Sequence, residues 1–124
     1  VKFQEQKQIE ELLEFFDLTD VKNQNLHTLP LGKQRLAMLA RTIIKNPPLL
    51  VLDEPCQGLD NDQAKYFNDV VDELAQYGKT LIYVGHYESQ LPSCIEHRIV
   101  LEKGEVKAIE NITVKDKHLE SVIL

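Results

Sequence analysis

The sequence predicts an α/β layered fold, with a parallel-strand core, flanking helices and a β-hairpin at the C-terminal end. Three observations carry this. Leu49-Leu50-Val51-Leu52 and Thr80-Leu81-Ile82-Tyr83-Val84 are short, continuous apolar runs, the pattern of strands buried on both faces. A helical pattern lies between them, and a strand–helix–strand crossover of that length implies parallel pairing. Beyond the second run, Arg98 to Leu101 and Glu105 to Ile109 alternate around Lys103-Gly104, which reads as a hairpin.

Each element has its own warrant. Ile9, Leu12, Leu13 and Phe16 fall at i, i+3, i+4 and i+7, so the chain opens on an amphipathic helix. Asp17 to Leu29 is polar and irregular and ends at Pro30. A second helix is expected after Gly32, with Leu36, Leu39, Ala40 and Ile43 on one face. It stops before Asn46-Pro47-Pro48, because proline disfavours helix in the residue before it. The crossover helix starts at Asp60-Asn61-Asp62-Gln63, where Asp60 and Gln63 have capping-box spacing. Ala64, Phe67, Val70, Val71 and Leu74 form its apolar stripe, and Gly78 ends it.

Composition bounds the function. A chain of 124 residues with 43% hydrophobic and 27% charged residues suits one compact globular domain. A net charge of -6 argues against a free-standing nucleic-acid binder, which needs a basic face. No apolar run approaches bilayer length, and the N-terminus lacks a signal-peptide layout. Cys56 and Cys94 show no metal-ligand spacing and read as two reduced thiols. A first residue of Val1 rather than Met is the mark expected of a piece of a longer polypeptide.

The chemistry concentrates at Leu49-Leu50-Val51-Leu52-Asp53-Glu54-Pro55. Open α/β sheets bind ligands beyond the carboxyl ends of their parallel strands, where Asp53 and Glu54 stand. Folding alone has no use for adjacent charges there, since each must be solvated or paired. Mg²⁺ would use one, as a hard cation that prefers carboxylate, water and phosphate oxygens. The other could orient or deprotonate a water for attack on a phosphoryl group. Taken alone, the pair is also compatible with a strand that runs into a solvated, charged turn.

The pair does not stand alone. Leu29-Pro30-Leu31-Gly32-Lys33-Gln34-Arg35, Asp53-Glu54-Pro55, Gly58-Leu59-Asp60 and His86 follow one another in the order of the signature, Walker B, D-loop and switch-histidine motifs. From about Ile9 to Ile109 the chain therefore resembles the C-terminal half of an ABC-type ATPase domain, a P-loop NTPase. Gln57-Gly58-Leu59-Asp60, with Pro92, Cys94, Ile95, His97 and Arg98, most resembles the branch of soluble tandem ATPases of the ModF or photorepair type. The resemblance implies three divisions: the end of a helical subdomain over 1–46, the C-terminal part of the ATPase core over 47–110, and a tail over 111–124.

The resemblance also implies roles and ligands. The ligands are ATP and Mg²⁺. Asp53 would hold Mg²⁺ through its water shell, Glu54 would polarise the attacking water, and His86 would sense the γ-phosphate. Asp60 would reach across a dimer interface. Gly32, with Lys33 beside it, would approach the γ-phosphate of ATP held by the opposite subunit, where a helix N-terminus favours an anion. The partners implied are a second ATPase domain, in a homodimer or a tandem chain, and a membrane permease subunit where the work is transport. The location implied is cytoplasmic, including the inner face of the membrane. No nucleic-acid partner and no membrane insertion are expected.

Departures from the motif matter. Pro30 replaces the signature serine and removes both a hydroxyl and an N–H; Leu31 adds bulk in place of a glycine; Lys33 replaces a glutamine but brings a positive charge. Such a signature half-site is expected to be weak or non-catalytic. G-x-x-x-x-G-K-[ST] occurs nowhere in the chain. Gly78-Lys79-Thr80 copies its last letters, but after a helix and before a strand, so the helix dipole faces the wrong way. The family's phosphate loop lies N-terminal to the signature. The chain on its own is thus expected to bind ATP too weakly to measure, and its uncovered strands favour self-association.

Two functions follow as expectations. The first is ATP hydrolysis by the intact protein at a head-to-tail dimer interface, in a transport-related task. The second is a regulatory or interaction module that binds ATP and hydrolyses it slowly or not at all. A DNA-repair or chromosome-maintenance ATPase ranks last, for want of a basic surface.

Overall fold

The computed structural model describes residues 3–86 and 90–112. They fall into two compact units, Val1–Pro47 and Pro48–Leu124. The end of the C-terminal tail, from 113 onward, lies outside the described residues.

In the first unit, α1 spans Phe3–Phe15 and α2 spans Leu31–Ile43. Two single turns of 3₁₀-helix, Thr19–Val21 and Leu26–Thr28, break the segment between them. Phe16, Leu18, Leu29, Leu36 and Leu39 are buried, and Phe15 meets Phe16 edge to face with ring centroids 5.2 Å apart. Asp17, at φ 56°, takes a left-handed conformation just past α1. Asn46 does the same at φ 50° and donates its N–H to the Ile43 carbonyl, a turn that closes α2 ahead of the two prolines.

In the second unit, β1 (Leu49–Asp53), α3 (Asn61–Gln76) and β2 (Thr80–Val84) form the expected crossover. β1 and β2 pair in parallel, from Leu49 with Thr80 to Asp53 with Val84. α3 buries the whole predicted stripe and Asn68 as well. Tyr83, Ile95 and Ile112 are buried together, with Leu52, Leu81, Leu91 and Cys94 packed against them.

The expectation that β1 is buried on both faces is corrected. Leu50 is buried, whereas Leu49 and Val51 are 46% and 56% exposed. The strand alternates, and only the face carrying Leu50 and Leu52 is turned inward. An apolar run fixes what each face can tolerate, not how many layers lie against it.

The hairpin is β3 (His97–Glu102) and β4 (Glu105–Asn111), paired antiparallel. Lys103 and Gly104, at φ 51° and 78°, make a two-residue turn of the type that matches strand twist. The register slips by one between Val100 and Leu101, which leaves Lys107 as an extra residue in β4. Its ammonium bonds the Glu102 carboxylate at 2.9 Å.

Candidate functional site

The site grows from the end of β1. Asp53 is the last residue of the strand and shares its exposed face with Leu49 and Val51. Glu54 then leaves the strand with φ 48°, a left-handed backbone that costs a non-glycine residue about 1 kcal/mol or more. Its N–H still donates to the Val84 carbonyl at 2.9 Å, so the residue stays tied to the end of β2. The chain then turns tightly through Gln57 N–H to Glu54 carbonyl and Leu59 N–H to Cys56 carbonyl.

His86 arrives from β2 through Gly85, and its Nε2 contacts Glu54 Oε1. The carboxylate is largely covered while the imidazole is 67% exposed, so the histidine has one side on the acid and one open. Beside them is a cavity of about 390 Å³, lined by residues 54–59 and 83–86 together with Gln90 and Leu91. Two of the residues singled out from sequence are thus joined. Asp53, one residue away, lies outside the lining.

The other candidates are occupied locally. Asp60 caps α3: its Oδ1 accepts from the Gln63 N–H at 2.8 Å, and Gln63 Oε1 accepts from the Asp60 N–H at 3.2 Å. Gly32 lies inside the first turn of α2, not ahead of the helix as expected. The reason is Pro30, which sits at the N-cap with ψ 149° and lets the helix start at Leu31 without any side-chain cap. Lys33 reaches back to the end of α1, donating from Nζ to the Asp17 carbonyl at 2.5 Å and to its carboxylate at 3.2 Å.

A metal test follows from the donor set. Among the described residues no group of three or more His, Cys, Asp or Glu side chains could cage a metal ion. Mg²⁺ does not need one, since it takes one or two carboxylates and completes its shell with water and phosphate. Asp53, exposed at the ligand edge of the strands, fits that demand.

Reading by motif missed Asn68, Tyr83 and Cys56. Asn68 is buried on α3, and Tyr83 is 2% exposed in β2. The Tyr83 hydroxyl donates to Asn68 Oδ1 at 2.9 Å and lies 3.4 Å from Cys56 Sγ. Burial, with the bonds to Cys56, pushes the Tyr83 phenol well above its usual range. The available signal was an asparagine inside the Ala64–Phe67–Val71–Leu74 stripe.

Comparison with known proteins gives the family. A family model described as ABC transporter matches residues 2–57. An uncharacterized ABC transporter ATP-binding protein of Schizosaccharomyces pombe is 34% identical over 98 residues, 79% of this chain and 20% of its own length. The ABC transporter ATP-binding protein ModF of Escherichia coli is 45% identical over 74 residues, 59% of this chain and 15% of its own. Among solved structures, MJ1267, an ATP-binding cassette of an ABC transporter in its ADP conformation, superposes with TM-score 0.83 at 23% identity over 94% of this chain and 46% of that one. The dimeric structure of MJ0796, a bacterial ABC transporter cassette, gives TM-score 0.74 at 27% identity over 90% and 49%. The chain spans less than half the length of these relatives. With motifs, fold and relatives in agreement, the chain belongs to the ABC ATP-binding cassette family and corresponds to the C-terminal half of the cassette.

Proposed function

We propose that the protein carrying this chain hydrolyses ATP at a head-to-tail interface between two ATPase domains, and that this chain supplies the water-activating side of the site. The observation that carries the reading is the contact between His86 Nε2 and Glu54 Oε1 beside an open cavity at the carboxyl ends of β1 and β2. A water between the Glu54 carboxylate and a terminal phosphate would lose its proton to that carboxylate. The exposed side of the imidazole would hydrogen-bond the phosphate and hold it in line. Asp53 would hold Mg²⁺ through water. When bound, that ion neutralises charge on the phosphate oxygens.

Asp60 would meet the second domain, and Gly32 and Lys33 would face the nucleotide held by that domain. The dimeric cassette among the structural relatives supports such a partner. The relatives are named as ABC transporter ATP-binding proteins, which supports transport-related work beside a permease at the cytoplasmic face of a membrane. No described helix is long and apolar enough to cross one.

A second reading, slow hydrolysis in a regulatory module, draws support from Lys33. Its ammonium is engaged by Asp17, and an engaged cation is a poor phosphate ligand. Glu54→Gln in the protein that carries the chain separates the two. Hydrolysis requires turnover to fall at least about a hundredfold with ATP still bound. Unchanged turnover would remove Glu54 as the base.

A further inference from the structure

One polar cluster, Cys56, Tyr83 and Asn68, is built on both arms that carry the Glu54–His86 contact. Cys56 is two residues past Glu54, and Tyr83 is three residues before His86. Their side chains meet at 3.4 Å, and both reach Asn68 Oδ1, Tyr83 at 2.9 Å and the thiol at 3.7 Å. Cys56 Sγ also lies 3.9 Å from the Ala64 carbonyl on the first turn of α3. Asn68 spends its amide on residue 90, donating from Nδ2 to the Gln90 carbonyl at 2.7 Å.

One turn further along α3, Asp72 accepts from Cys94 N–H at 2.9 Å, from Ser93 Oγ at 2.8 Å and from Ser93 N–H at 3.3 Å. The helix therefore holds residues 90 and 93–94 from two successive turns. Gly85 packs closely on Leu91: a Cβ placed on Gly85 would stand 2.8 Å from Leu91 Cδ2, so residues 85 and 91 approach as closely as a missing side chain permits.

A tyrosine hydroxyl here is costly unless satisfied, and a phenylalanine would fill the same space without that demand. Here the demand is met by Asn68, which ties β2 to α3. We propose that Tyr83 and Asn68 are positioning residues: the hydroxyl–amide pair, with Cys56, ties the turn after β1 and the end of β2 to α3 and so sets His86 against Glu54. They act through the pair, and the kinetic part of the inference rests on the hydrolytic reading above, whereas the geometric part does not.

The test uses Tyr83→Phe and Asn68→Ala in the protein that carries this chain, with thermal melting to certify folding and either variant sufficient if the other does not fold. The side-chain nitrogen resonances of ¹⁵N-labelled His86 are recorded in the wild type, in Glu54→Gln and in each variant. Positioning requires Tyr83→Phe or Asn68→Ala to move the His86 resonance in the direction in which Glu54→Gln moves it. It also requires kcat to fall about tenfold with KM for ATP unchanged, as displaced but intact catalytic groups produce. A His86 resonance that stays at its wild-type position in a folded variant overturns the proposal whatever the kinetics. If the wild type hydrolyses no ATP, the hydrolytic reading fails alone, and the resonance still decides whether the cluster positions the histidine.

Discussion

Tyr83 shows at the scale of one residue how burial sets the pH dependence of stability. Its phenol is covered, satisfied by Asn68 and held in the protonated form by that burial. An unfolded tyrosine ionises near pH 10. A group whose folded pKa is raised contributes stability that is present below the unfolded value and is lost as pH rises above it. Unfolding free energy measured in urea is therefore expected to fall as pH rises past about 10, and Tyr83→Phe to flatten that fall. An unchanged slope in Tyr83→Phe would place the dependence elsewhere.

Glu54 and His86 stood out in the sequence because an acid pair and an imidazole in a fixed order are rare, and the structure brings the two side chains into contact. Asn68 and Tyr83 were not legible for the opposite reason. An asparagine and a tyrosine within apolar patterns read as tolerated exceptions until their partners are seen.

At the scale of elements, α3 connects the candidate site to the rest of the second unit. Its apolar stripe anchors it, its N-terminus carries Asp60, and its polar residues Asn68 and Asp72 hold residues 90–94. The capping box at Asp60 and Gln63 was readable from spacing alone, since the reciprocal bonds need only the right residues three apart. Asp60→Ala is expected to cost about 1 kcal/mol of stability, from lost satisfaction of the first-turn N–H groups. Chemical denaturation of the variant checks it, and a cost near zero would mean that the cap is dispensable.

The faces of β1 were less legible. Four consecutive apolar residues permit burial on either side, and Leu49 and Val51 show that only one side is covered among the described residues. The start of α2 was misjudged by two residues for a local reason: Pro30 can itself stand at the N-cap, so Gly32 became part of the helix.

At the scale of the whole molecule, the parallel pairing and the hairpin were both legible, because crossover length and a Lys-Gly turn between alternating runs leave few topologies. The chain spans under half of the cassettes it resembles, and the structure brings an acid and an imidazole together at the carboxyl ends of its parallel strands. Glu54 and His86 are joined by direct contact, so the account requires them to act as one unit on one phosphate. A double-mutant cycle in the protein that carries the chain measures this, with ATP turnover followed in Glu54→Gln, His86→Ala and the two combined. The account predicts that the combined variant is no slower than Glu54→Gln alone, as for residues that share one task. Losses that simply multiply would contradict it and make the contact between the two side chains incidental.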